Sequence, residues 1–196
     1  MITNLFDHPL VFSWSQKMVP FTVWVYQDLM KTHIRSTIED HVLDIGCGVG
    51  AHAAFFTGKY TGIDVNKRYI EMAAVGQSRD FRVMDGTQLN FPTATFNVAI
   101  SVAIFHHLSD QQVRDAVREA IRVLRPGGRL HVIDPVLPLS GRARFKRWIF
   151  MHDRGRHQRA VGDLENILES CYPVSKRDLR RGHLHDVAYF EMVKER

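Results

Sequence analysis

The chain has 196 residues, enough for one domain with a sizeable core and cramped for two. Hydrophobic residues make up 45% and charged residues 24%, a globular balance that excludes a largely disordered, collagenous or fibrous chain. The formal charge is +5 and falls late: residues 1–138 hold 13 basic and 13 acidic side chains, residues 139–196 hold 13 and 8.

No apolar run approaches the roughly 18 residues a membrane helix needs. The opening MITNLFDHPLVFSW lacks the basic, apolar and small-residue pattern of a secretory leader. Cys47 and Cys171 are too few for a disulfide framework or a four-ligand zinc site. A reducing cytoplasm is the expected compartment.

In chain order, an aromatic-rich segment over residues 12–38 reads as one or two helices. A buried strand follows at 41–45 (HVLDI), then a glycine loop leading into a helix from Ala51. A second strand covers 60–65, and a helix over 66–77 has Asn66 as its candidate N-cap. A weaker strand spans 81–84 and a strong one 96–102. Residues 110–125 form the clearest helix. Val113, Ala116, Val117, Ala120, Ile121 and Leu124 make its apolar stripe, and Ser109 with Gln112 has capping-box spacing. Pro126-Gly127-Gly128 is expected to end it, before a strand at 129–133. Strands at 175–180 and 187–194 close the chain as an antiparallel hairpin. Strand–helix alternation in the middle means βαβ units and a parallel sheet.

The chemistry starts at Asp44-Ile45-Gly46-Cys47-Gly48-Val49-Gly50, a strand end running into G-x-G-x-G. Glycines permit a tight turn and close approach of a ligand to backbone N–H groups. An acid two residues before the first glycine would repel a pyrophosphate but suits a ligand carrying an ammonium group. Asp64 ends the second strand, where a carboxylate can accept ribose hydroxyl protons; the competing reading is a helix cap. Asp85-Gly86 follows the weak strand, where an acid can take a hydrogen bond from an adenine amino group. Ligands of open α/β sheets bind at this carboxyl edge.

These residues, with Phe96–Ser101, Phe105-His106-His107-Leu108 and Arg122–Leu130, stand in the order and near the spacing of a known family. The chain resembles the class I S-adenosylmethionine (SAM)-dependent methyltransferases of small-molecule type over residues 41–134. The resemblance implies an α/β three-layer sandwich: a seven-stranded, mostly parallel, doubly wound sheet with an antiparallel last strand. It implies SAM as cofactor, with S-adenosylhomocysteine as product. Gly46, Cys47, Gly48, Gly50 and Val65 would hold it, with Asp44 near its methionine end, Asp64 at the ribose, Asp85 and Gly86 near the adenine, and Ser101 at the methyl site. For the Cys47 side chain, packing behind the loop competes with facing the cofactor.

One domain then fills 1–196, as a helical cap (1–38), a SAM-binding core (41–136), a basic insertion on the substrate side (139–170) and a closing hairpin (175–194). His106 and His107 are the candidate bases, since imidazole titrates near neutrality; the alternative is that they hold the strand-to-helix connection. In the insertion, Arg154 and Arg156 suit an anionic acceptor, and the alternative is a solvated basic face. Trp14 and Phe21 are candidate aromatic contacts to the acceptor. His152, His157, His183 and His185 form no metal motif, so no metal is expected.

The expected partner is a small organic acceptor, anionic or aromatic, methylated on oxygen or nitrogen. The competing readings are methylation of RNA or protein, a SAM-using enzyme without methyl transfer, a dinucleotide oxidoreductase, and a peripheral membrane contact through the Arg-Trp-Ile-Phe segment at 147–150. Absence of a separate RNA module and of an Asn-Pro-Pro-Tyr-type motif argues against nucleic acid. Oligomeric state is not legible.

Overall fold

The computed structural model describes residues 20–137, 157–181 and 186–195, with side chains from Trp24 onward. Trp14, Arg154, Arg156, His152, His183, His185 and the 147–150 segment lie outside the described residues, as does the side chain of Phe21.

The sheet has seven strands: β1 (His41–Ile45), β2 (Lys59–Asp64), β3 (Asp80–Val83), β4 (Phe96–Val102), β5 (Leu124–Val136), β6 (Lys176–Arg180) and β7 (Asp186–Val193). Their order is β3-β2-β1-β4-β5-β7-β6. All neighbours pair in parallel except β7, which runs antiparallel to both β5 and β6. The strand order reverses between β1 and β4, so their carboxyl ends mark the crevice where ligands of doubly wound sheets bind.

Helices cover the sheet. α1 (Pro20–His33) packs Val25, Leu29 and Met30 on one face with Val42, Ile100, Ile133 and Tyr189. α3 (Asp110–Val123) and α4 (Val161–Glu169) bury Val113, Val117, Leu164 and Leu168 on the other face, against Leu43, Ala99, Leu130 and Val132. β1 and β4 therefore read as nearly continuous apolar runs because both of their faces are covered. The expected capping box of α3 forms, with Ser109 and Gln112 each satisfying the other's backbone N–H. Asn66 caps α2 (Lys67–Ala74), its side chain accepting the Arg68 N–H, so the cap role weighed for Asp64 falls to Asn66.

Two expectations are corrected. Pro126-Gly127-Gly128 does not end a helix. α3 stops at Val123, and β5 starts at once with these residues inside its bulged beginning. Gly127 donates to the Lys194 carbonyl and Gly128 accepts from the Lys194 N–H, which draws the segment into the sheet. The helix expected after the glycine loop is a single 3-10 turn, Ala53–Phe55. Geometry explains this. A helix rises about 1.5 Å per residue and must run back along a strand rising about 3.3 Å per residue. The eight residues 51–58 are too few to retrace the five residues of β1 as a helix, so the chain stretches from Phe56 into β2.

Candidate active site

The carboxyl ends of β1, β2 and β4 converge on the loop Gly46–Gly50. Gly46 and Gly50 hold φ of +77° and +76°, a region side chains rarely adopt. A Cβ on Gly46 would stand 2.3 Å from Ile104, so the loop after β1 and the loop after β4 touch through the missing side chain. Gly86 plays the same part against Ile45, bringing in the loop after β3. The Cys47 side chain is buried against Gly62, behind the loop. Burial, with the Asp44 and Asp64 charges, pushes its thiol well above the ordinary range, so it is no nucleophile.

Asp44 is fully buried. Its Oδ2 accepts the Tyr60 hydroxyl at 2.5 Å, while its Oδ1 has no protein partner. His52, on the short turn after the loop, places Nδ1 3.7 Å from Asp44 Oδ2. Ser101 pairs in register with Ile45; it too is fully buried, and its hydroxyl has no partner. Unpaired buried polar atoms are costly and call for a ligand or water.

Asp64 accepts the Gly48 N–H at 3.1 Å and the Asn66 N–H at 2.8 Å, fixing the carboxylate beside the glycine loop. Burial, helped by the Asp44 charge, raises its pKa against the pull of those two donors. Val65 next to it is 68% exposed, an apolar surface beside a fixed carboxylate. Asp85 is exposed, with Oδ1 accepting from the Thr87 N–H and hydroxyl.

The two histidines separate. They lie on a 3-10 turn, Phe105–His107, reached through Ala103 at φ +56°. His107 is exposed; His106 is half-buried, and the rings lie 4.0 Å apart. His106 Nδ1 is 3.0 Å from Asp134 Oδ1, at the end of β5. Asp134 is buried and also accepts the backbone N–H groups of Ile104, Phe105 and His106. The carbonyls of the same turn face Arg159. Its guanidinium donates to Phe105 O and Leu108 O and pairs with Asp110 at 2.7 Å. The His157 N–H donates to His106 O. Sequence reasoning missed Asp134 and Tyr60 and left Arg159 within a basic run. The only available signal for Asp134 was an acid at a strand end on the ligand edge.

The arrangement suits a molecule with a cationic amino group, a diol and a flat apolar ring laid across three strand ends. The unpaired Asp44 Oδ1 and Ser101 Oγ, the fixed Asp64 carboxylate and exposed Val65 are the features that fit it.

Residues 43–132 match a family model described as a methyltransferase domain. An O-methyltransferase of Penicillium expansum is 34% identical over 108 residues, 50% of this chain and 38% of that protein. The 27-O-demethylrifamycin SV methyltransferase of Amycolatopsis mediterranei is 37% identical over 109 residues, 50% of this chain and 39% of that protein. The matches thus span about two fifths of these relatives' length. The solved structure of YcgJ from Bacillus subtilis superposes with a TM-score of 0.69 at 17% identity, covering 86% of this chain and 97% of that one. At that identity the likeness is one of fold.

Proposed function

We propose that the chain is a class I SAM-dependent methyltransferase that transfers a methyl group from SAM to a small organic acceptor, through oxygen or nitrogen; the match of residues 43–132 to a methyltransferase domain supports this reading. The observation that carries this reading is the pair of buried, unpartnered polar atoms, Asp44 Oδ1 and Ser101 Oγ, beside the glycine loop. A tight βα turn with no ligand would have no use for them.

In this reading Asp44 takes the amino group of the methionine part. The backbone of Gly46, Cys47, Gly48 and Gly50 lies against the cofactor. Asp64 takes the ribose hydroxyls, Val65 packs on the adenine, and Asp85 with Gly86 borders the adenine edge. When bound, SAM supplies an activated methyl group on a sulfonium. The protein's part is to align the acceptor, exclude water and remove a proton where the acceptor carries one. His106 is the proposed base. His107, exposed one residue on, is the lesser candidate. The basic segment with Arg154 and Arg156, and the aromatic Trp14 and Phe21, are proposed to meet the acceptor. The O-methyltransferases among the relatives support oxygen as acceptor atom. No helix among the described residues is long and apolar enough to cross a membrane.

Calorimetry with SAM and with NADH tests the cofactor assignment: SAM should bind and NADH should not. NADH binding without SAM binding would overturn the reading. A mass-shift screen of metabolite pools for a gain of one methyl then identifies the acceptor.

A further inference from the structure

Asp44 is a buried acid with no lysine or arginine paired to it among the described residues. The Tyr60 hydroxyl donates to Oδ2, which supplies a bond but no charge. A second acid stands in the same cluster: burial and the Asp44 charge both raise the pKa of Asp64. An ionised carboxylate in such a place is costly until a cation meets it. Oδ1 is the oxygen left open for one.

That open oxygen has a neighbour in the same condition. His52 Nδ1 is buried and has no hydrogen-bond partner. It faces the Asp44 carboxylate, 3.7 Å from Oδ2, where a ring donating its proton to the acid would close to about 2.8 Å. The gap leaves Nδ1 as a second open acceptor. A nitrogen about 2.9 Å from each of two acceptors bridges a span of up to about 5.8 Å. One amino group can therefore serve the carboxylate and the ring together.

We propose that His52 is a specificity-determining residue for the amino group of the methionine part: its neutral ring, protonated on Nε2, accepts one ammonium N–H at Nδ1 while Asp44 Oδ1 accepts another. This rests on the reading of Asp44 as the partner of that amino group. Tyr60 keeps Oδ2 occupied, so the carboxylate meets the ligand through Oδ1. The pair reads charge and donor number at once. An ammonium has three N–H donors and a positive charge. A hydroxyl in its place brings one donor and no charge, and a hydrogen leaves both acceptors empty.

A His52 that only packs the turn gives a different result in a binding cycle. The probes are S-adenosylhomocysteine and its deamino analogue, in which hydrogen replaces the amino group. Both are titrated by calorimetry into the full chain. His52→Leu should weaken S-adenosylhomocysteine about 10- to 100-fold, the worth of one hydrogen bond to a charged group, and leave the analogue within a few-fold. His52→Gln, which keeps a side-chain acceptor, should retain most of the wild-type preference. Equal losses for both probes in His52→Leu overturn the proposal, and so does an unchanged preference. Should the Leu variant not fold, the wild type decides alone. Labelled with 15N-histidine and saturated with S-adenosylhomocysteine, it should show His52 unprotonated on Nδ1, and a protonated Nδ1 overturns the proposal. A wild type that binds neither probe overturns the cofactor reading itself, an outcome distinct from a flat response of the variant.

Discussion

The two halves of the ligand edge are built on opposite plans. At the β1–β2 half, buried polar atoms are left over: Asp44 keeps one oxygen unpaired, and so does Ser101 on neighbouring β4. At the β5 half, Asp134 and Arg159 are saturated. Asp134 holds three N–H groups and a ring nitrogen, and Arg159 holds carbonyls and a counter-ion. An unsatisfied buried group is a place for something from outside, whereas a saturated one fixes geometry. On the proposed function, the first half recognises the cofactor and the second aligns the reacting side chain.

The sharpest way to break this division is the histidine pair. With the acceptor from the methyl-gain screen, His106→Gln should lower kcat about 100- to 10,000-fold, the range for a lost general base, with SAM affinity unchanged. His107→Gln should stay within a few-fold of wild type. Equal losses in both variants would place the histidines in the scaffold instead.

A smaller effect tests the other half. Asp64 already accepts two backbone N–H groups, so its removal disturbs the loop as well as the proposed ribose contact. Asp64→Ala should weaken SAM binding about 10- to 100-fold by calorimetry, the scale of one or two hydrogen bonds to a charged group. Unchanged affinity would remove Asp64 from the recognition half.

How much of this division was legible beforehand follows from how local each feature is. The bounds of β1 and β4 match the apolar runs, because buried parallel strands write themselves as such. The glycine loop, the Asn66 cap and the Ser109 capping box lie within a few residues of their partners, and all were readable. Asp134 was not. Its partners Ile104, Phe105 and His106 stand about 30 residues away and meet it only because β5 pairs with β4. Arg159 sat in a basic run where composition favoured solvent, yet it is buried, because the turn's carbonyls and Asp110 are its partners. The helix expected after Gly50 failed for a reason of length, which the residue pattern of 51–56 does not carry.

The comparison extends to the far face of β5. His131, four residues after Gly127, points away from the Asp134 side and is buried. Its Nδ1 lies 2.9 Å from the Tyr189 hydroxyl, which donates onward to Glu191 at 3.2 Å. Tyr189 in turn stacks on His33 of α1 at 4.1 Å. Burial, with the charges of Arg129, His33 and Lys176, lowers the His131 pKa to about 3, although Glu191 Oε2 stands 3.7 Å away. The unfolded chain titrates this histidine near 6.5. Between those values the unfolded state binds the extra proton, so folding stability falls as pH drops. The contribution is fully present above pH 6.5 and is lost progressively toward pH 3. By linkage the loss reaches about 2 kcal/mol at pH 5. Urea unfolding of wild type and His131→Gln at pH 7.5 and pH 5 reads it directly. The variant should lose about 2 kcal/mol less than wild type over that interval, and parallel losses would show that this buried histidine takes up its proton without unfolding.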